Sequence, residues 1–218
     1  MKNDLGQEVE VKKDGSIYKK FAVEMQARER IYGGLPRHED VIDAFTTAKI
    51  KDNEKARGVA EQLKEDIEPL DQEEELSKMW CGFRSFNGSG IFLADYQIKA
   101  MLRESAKTLG FLIKSFRQTF QHGLFIKPTD IRLSDKPDGY EDFFGHVMGP
   151  RGDRSILKRA DYSEKRIIKY EAWIVDNGTI SDDKFKKMVE LSQEIGLGSM
   201  RSFQKGKLNL LKFKKQDD

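Results

Sequence analysis

The sequence predicts an α+β domain in which antiparallel strands form one sheet and helices pack on one face of it. Residues 19–32 and 165–176 alternate apolar and polar side chains, which is the two-residue period of a half-buried strand. Residues 95–109 and 181–195 place apolar side chains at helical spacing, as amphipathic helices do. Each helical segment follows a strand-like run, and this alternation is typical of a sheet covered by helices.

The composition restricts the class of protein. The 218 residues suit one domain with an insertion, and a net charge of +2 excludes a strongly basic protein. The charge is unevenly placed, because Glu61–Glu75 is acidic whereas Ile195–Lys215 contains Lys and Arg but no Asp or Glu. This asymmetry allows a local anion-binding face on a nearly neutral chain.

Cysteine and histidine usage gives no sign of a metal or another cofactor. One cysteine, Cys81, excludes a disulfide within the chain and a thiolate zinc site. The three histidines have no metal-ligand spacing. No apolar run approaches the roughly 20 residues that span a bilayer, so we expect an intracellular protein without a membrane partner.

The first half of the chain contains an interruption. The first strand ends at Gly33-Gly34-Leu35-Pro36, and residues 37–75 are predicted to be a helical insertion with an acidic tail. A strand-like stretch over residues 76–86 and a short apolar run, Ile91–Ala94, then lead into the first helix, for which Asp95 is the expected cap. Its expected inner face is Ile98, Met101, Leu102, Ala106 and Leu109.

The second half repeats the pattern. Leu124–Leu133 is predicted as a strand, in which Pro128 marks an edge or a bulge. Residues 134–164 are predicted to be an irregular basic loop, which is usually functional or contains a small sheet of its own. Ser181 is the expected cap of the second helix, and Leu211 interrupts the alternation of the last strand, which predicts a bulge.

Without the insertion and the long loop, the order of elements is βαβ–βαβ. This order is typical of the ferredoxin-like, or RRM-like, arrangement, an antiparallel sheet with helices on one face. The open face of such a sheet often binds RNA. We therefore predict a single domain over residues 1–218, with the helical insertion after its first strand.

The glycine-bearing segment before the last strand is the strongest candidate site. Glycines can bring backbone amides close to an anion, and the neighbouring cations supply positive charge. On the first helix, Lys99, Arg103 and Lys107 follow at i, i+4 and i+8 and form one cationic stripe. Structural alternatives remain open: Gly196 as a helix C-cap, Gly206 as a turn residue, and the helical stripe as a solvated face.

Three segments, taken in their order along the chain, resemble a known family: Arg28–Pro36, Ile91–Arg103 and Gly196–Lys207. They are similar to segments of the repeat-associated mysterious protein (RAMP) superfamily, in particular the backbone subunits of CRISPR effector complexes and their stand-alone phage relatives. The resemblance extends over most of residues 19–213. It implies a non-catalytic binder of single-stranded RNA, or less readily DNA, in the cytoplasm of a prokaryotic cell, encoded by a phage in the stand-alone case. It also implies homo-oligomers or filaments along the strand.

The resemblance assigns phosphate contacts to Lys99, Arg103, Arg201, Lys205 and Lys207, and close backbone approach to Gly196, Gly198 and Gly206. From the charge pattern we add Lys107 on the helix, and Arg151 and Arg154 in the loop over residues 134–164, where interleaved Phe side chains suit single-stranded nucleic acid.

Two other functions compete with nucleic-acid binding. A metal-independent endoribonuclease needs a general base and acid, for which His38 or His146 are candidates with Tyr32 or Tyr140 as helpers. A phage-type interaction protein would engage a host complex without nucleic acid, with the acidic residues 61–75 as its partner surface.

Overall fold

A computed structural model describes residues 17–37, 41–43, 61, 80–86, 89–111, 113, 115–149 and 152–216. The fold is α+β, and most of its strand pairs are antiparallel. Most of the predicted insertion over residues 37–75 lies outside the described residues; within it, residues 41–43 are helical and Ile42 is buried. No helix in the described part of the chain is long and apolar enough to cross a membrane.

The helices and strands follow in chain order. The strands are β1 Tyr18–Ala27, β2 Ile31–Tyr32, β3 Leu35–Pro36, β4 Trp80–Gly82, β5 Arg84–Ser85, β6 Ile91–Ala94, β7 Leu124–Lys127, β8 Asp130–Ser134, β9 Gly139–Gly149, β10 Gly152–Ser163, β11 Ile167–Val175 and β12 Leu208–Gln216. The α-helices are α1 Asp95–Thr108, α2 Phe116–His122 and α3 Asp182–Ile195, and a short 3₁₀-helix covers Arg201–Phe203.

The main sheet has four strands in the order β12-β1-β11-β7, and each neighbouring pair is antiparallel. Along β1 the side chains of Phe21, Val23, Met25 and Ala27 are buried, whereas those between them are half-buried. The alternation predicted for the first strand is therefore confirmed. β11 alternates in the same way, so one face of the sheet carries the hydrophobic core.

Helices α1 and α3 pack on that buried face. Ile98, Met101 and Leu102 of α1 belong to the same core cluster as Phe185, Met188 and Val189 of α3. The Phe21 and Phe185 rings join β1 to α3, with centroids 4.9 Å apart. Leu109 was wrongly predicted to be inside: it is 37% exposed, because α1 ends at Thr108.

Of the two predicted helix N-caps, one is confirmed and the other is wrong. Ser181 caps α3 as predicted, since its Oγ accepts a hydrogen bond from the backbone N–H of Lys184 at 3.3 Å. The prediction that Asp95 caps α1 is wrong, because the cap position is Ala94. The Gln97 side chain accepts from the Ala94 N–H at 3.1 Å, and Asp95 lies in the first turn, where its charge favours the helix dipole.

Residues 134–164 are not an irregular loop; the alternative left open by the sequence, a small sheet within this segment, is what the structure has. They contain the long antiparallel hairpin of β9 and β10, and β10 also pairs with β2 and β4 in a second sheet. Charged side chains made this segment resemble a loop, but among the described ones Arg159 has a partner on the opposite strand. Arg159 donates to Asp142 at 2.7 Å, and its guanidinium lies 4.4 Å from the ring centroid of Tyr140.

Three strand predictions have clear outcomes. Pro128 separates β7 from β8, so the single strand predicted over Leu124–Leu133 is two, and β7 is an edge of the main sheet. The stretch over residues 76–86 is described from Trp80 onward and forms the short strands β4 and β5. The predicted bulge in the last strand is confirmed, since the β1–β12 register shifts between Glu24 and Met25.

Candidate nucleic-acid interface

The segment between α3 and β12, residues 196–207, is called here the glycine-rich loop. It closes on itself: the Leu197 N–H donates to the Gly206 carbonyl at 2.9 Å, and the Lys205 N–H donates to the Met200 carbonyl at 3.3 Å. Gly196 and Gly206 have φ angles of 79° and 78°, which favour glycine. The loop therefore has a defined shape built from its own backbone hydrogen bonds.

The three glycines of this loop allow close contacts between backbone segments. A Cβ on Gly206 would lie 2.0 Å from the Leu197 carbonyl oxygen, and one on Gly198 would lie 2.7 Å from the Tyr32 carbonyl oxygen. Gly196 is the C-cap of α3, which is the structural alternative for this residue. The contact of these glycines with nucleic acid stays a prediction, whereas their part in folding the loop is visible.

The glycine-rich loop docks on the segment that follows β1. Gly198 forms an isolated parallel bridge with Tyr32. The Ser199 N–H donates to the Tyr32 carbonyl at 3.0 Å, and the Ser199 hydroxyl donates to the Gly33 carbonyl at 2.6 Å. The structure thus brings together two of the three segments that carry the family resemblance.

Glu104 of α1, which directly follows the third segment, meets the loop through an ion pair. Arg201 Nη1 lies 3.1 Å from Glu104 Oε2, so the 3₁₀-helix of the loop lies beside α1. On the cationic stripe of α1, Arg103 and Lys107 are exposed, and Lys99 pairs with Asp95 at 2.8 Å. The loop and the stripe, predicted separately, are therefore neighbours.

A cleft of about 360 Å³ lies where the end of β1, the loop and the base of the β9–β10 hairpin meet. Four cationic side chains line it: Arg28, Arg30, Lys165 and Lys205. Sequence reasoning selected Lys205 alone among these. Arg28 and Arg30 belong to the segment Arg28–Pro36 that carries the resemblance, and this is the signal that could have identified them.

Tyr32, Glu141 and Arg30 form a hydrogen-bonded network at the cleft. The Tyr32 hydroxyl donates to Glu141 Oε2 at 2.5 Å, and Arg30 donates to the same oxygen at 3.1 Å. Burial and then the bond to Glu141 raise the pKa of Tyr32, and the bond from Tyr32 lowers the pKa of Glu141. At neutral pH the phenol is therefore a hydrogen-bond donor to a charged carboxylate and not a base.

Other cations of the site are held by exposed carboxylates. Glu194 pairs with Arg28 at 2.8 Å and with Lys207 at 3.5 Å, and its side chain is 55% exposed. Exposed ion pairs of this kind contribute only about 0–1 kcal/mol. A phosphate that replaced the carboxylate at such a cation would consequently face little competition.

Several predicted residues are not placed at this interface. Arg151 and His38 lie outside the described residues, and Arg154 and His146 are described by their backbone in β10 and β9 alone. Tyr140 is 53% exposed and packs on Trp80 of the second sheet, with ring centroids 5.1 Å apart. Within the described ranges, no group of three or more His, Cys, Asp or Glu side chains could hold a metal ion.

No family model matches the sequence, and no curated protein matches it. Among solved structures, the chain is similar to one chain of a cryo-EM structure of the Type III-B Cmr-beta bound to cognate target RNA. The identity is 13% and the TM-score is 0.44, over 91% of this chain and 60% of that chain. The protein therefore spans 60% of the length of the chain it matches.

Proposed function

We propose that this protein binds single-stranded nucleic acid, RNA in preference to DNA, through the surface formed by the glycine-rich loop, the stripe on α1 and the cleft. The observation that supports the proposal is the Arg201–Glu104 contact, because it joins the glycine-rich loop to the helix that carries the cationic stripe. Cations on adjoining elements suit a flexible polyanion better than a compact ligand, because successive phosphates can meet successive side chains.

We further propose a ferredoxin-like fold of the RAMP type. The support is the order of the elements around the main sheet: β1, α1 and β7, then β11, α3 and β12. The strands lie in the order β12-β1-β11-β7, and both helices pack on one face. The hairpin of β9 and β10 and the second sheet are additions to this unit.

The proposed activity is binding without catalysis. Phosphates would take the place of exposed carboxylates at Arg201 and Lys207, whereas Arg30 remains tied to Glu141 within the hydrogen-bonded network. Such contacts give affinity without base specificity and weaken with salt. Assembly of several copies along one strand is part of the proposal, and it predicts that the number of bound copies grows with strand length.

Fluorescence anisotropy with labelled single-stranded RNA and DNA at two salt concentrations tests the proposal. We expect salt-sensitive binding by the natural protein. Arg201→Ala combined with Lys205→Ala should weaken it about tenfold and lower the salt slope by about one for each phosphate that the variant no longer neutralises.

The matched control is Lys186→Ala on α3, where the lysine is 58% exposed and pairs only loosely with Glu190 at 3.9 Å. It removes a surface cation away from the glycine-rich loop and should leave binding within about twofold. Equal affinity of the double variant and the natural protein would show that the loop is structural and would overturn the proposal.

A further inference from the structure

The face of the main sheet opposite the core has a composition that the packing of the fold does not require. The register of the four strands of the main sheet places five lysines and two glutamates on this face. They are Lys20, Lys127, Lys169, Lys212 and Lys214, and Glu24 and Glu171. It is accessible, since the Lys169 side chain is 66% exposed and Ile167 is 48% exposed. We call it the open face.

Three aromatic rings form a cluster at one end of the open face. Trp173 of β11 lies opposite Lys20 of β1 on one side and opposite Phe125 of β7 on the other. The Tyr18 ring lies 5.9 Å from both the Phe125 and the Trp173 rings, measured between centroids. The cluster is half-buried, so parts of its rings face solvent.

Lysines flank the central ring of this cluster. The Nζ atoms of Lys20 and Lys127 lie 5.3 Å and 4.6 Å from the ring centroid of Trp173. The indole N–H donates to Glu171 Oε2 at 3.0 Å, and Gln216 donates to the other oxygen of Glu171 at 3.2 Å. The ring is therefore oriented by hydrogen bonds, whereas a cation–π contact of a lysine with such a ring contributes only about 0.5–1 kcal/mol at an exposed site.

We propose that the open face is a second surface for single-stranded nucleic acid, on which a base stacks against Trp173. The lysine chains would leave the ring as the base arrives and would contact the flanking phosphates. An oriented aromatic ring with cations on both sides is the combination that single-strand binding uses, because every base has a stacking face and each nucleotide carries one charge. The excess of lysine over glutamate on this face favours a polyanion as its occupant.

The aromatic cluster and the cleft lie at opposite ends of β1, whereas Lys99 of the stripe on α1 reaches the cluster, with its Nζ 5.8 Å from the ring centroid of Phe125. Lys20 is near the start of this strand, whereas Arg28 of the cleft directly follows its end. At about 3.3 Å per residue, the two positions are roughly 25 Å apart. A strand long enough to reach both surfaces would bind more tightly than a short one, because its second contact is intramolecular. The inference rests on the proposed function in that both surfaces take single-stranded nucleic acid.

The test combines tryptophan fluorescence with photo-crosslinking. The chain has two tryptophans, so the signal from Trp173 is the difference between the natural protein and Trp173→Phe. We expect that single-stranded RNA quenches this difference signal. We also expect Trp173→Phe to weaken RNA binding about three- to tenfold. The double variant Lys20→Gln with Lys127→Gln should weaken it about tenfold at low salt, and the control Lys186→Gln should leave the affinity for RNA unchanged.

Crosslinks from 5-iodouridine-substituted RNA separate the two proposals. Crosslinked peptides from β1, β7 or β11 support the second surface, and peptides from residues 196–207 support the loop. Crosslinks confined to the loop, together with an unquenched Trp173 signal, would overturn the inference and leave the proposed function standing. Crosslinks confined to the main sheet would overturn the proposed function of the loop and leave the inference about the open face standing. RNA that neither crosslinks to the protein nor quenches Trp173 would overturn both proposals. Phenylalanine keeps a ring at position 173, and circular dichroism of each variant confirms its fold.

Discussion

Arg201 Nη1 donates a hydrogen bond to Glu104 Oε2 at 3.1 Å, across a sequence separation of 97 residues. This contact lies where the glycine-rich loop meets α1. The contact also affects binding. Glu104 is 52% exposed, and its carboxylate pairs with Arg201, the cation to which we assign a phosphate contact. The carboxylate is therefore a competitor of the ligand.

Glu104→Gln should strengthen binding of single-stranded RNA about two- to fivefold, the range expected from removing an exposed ion pair of up to about 1 kcal/mol. The measurement is the dissociation constant by anisotropy at low salt. Glu190→Gln on α3 is the matched control, because it removes the same charge from another exposed ion pair, the one with Lys186. Weaker binding by Glu104→Gln would mean that the pair positions Arg201 and does not compete for it.

Gly206→Ala should destabilise the protein by more than a positive φ angle alone explains. Gly206 and Gly178 have φ angles of 78° and 76°, but a Cβ meets the Leu197 carbonyl oxygen at 2.0 Å in the first case and nothing within 4 Å in the second. We expect Gly178→Ala to cost about 1 kcal/mol and Gly206→Ala at least about 2 kcal/mol in urea unfolding. Equal costs would show that the loop rearranges readily around the new methyl group.

Tyr32→Phe should flatten the loss of stability in acid. The bond from Tyr32, followed by that from Arg30, lowers the pKa of Glu141 below its ordinary value of 4.5. The unfolded chain therefore binds the proton more readily, so this stabilisation is complete above pH 4.5 and is lost as the pH falls through the lower, folded value.

The measurement for this variant is the free energy of unfolding as a function of pH. Tyr32→Phe should be less stable than the natural protein by about 1 kcal/mol at pH 7, and the two should converge at low pH. The phenyl ring keeps the edge-on contact with Phe143, for which the centroids are 5.0 Å apart. A difference that stays constant with pH would contradict the role given to the hydroxyl.

Phe185→Ala should cost about 3–5 kcal/mol of unfolding free energy, because the fully buried ring joins β1, α3 and β12. Phe203→Ala, in the 3₁₀-helix of the loop, serves as its control, since that ring is 50% exposed. We expect a cost below about 1 kcal/mol for Phe203→Ala. Similar costs for the two variants would mean that the loop, and not the α3 contact, holds β12 in place.

The sequence alone determined the features that depend on neighbouring residues. Three features are local patterns: the period of two in β1 and β11, the Ser181 cap and the bulge at Leu211. Each depends on the order of residues along one strand or helix, because this order decides which face a side chain occupies. The approximate order of strands and helices follows from these patterns. The cationic segments were also visible in the sequence, but not their relative positions.

Only the tertiary structure decided which distant residues meet. The hairpin of β9 and β10 was missed because a contact between strands, such as that of Arg159 with Asp142, leaves no helical or alternating pattern in the sequence. The cleft at Arg30 and Tyr32 and the contact of Arg201 with Glu104 join segments about a hundred residues apart or more. The cluster around Trp173 likewise needs the register of three strands, which is set by the burial of their other face.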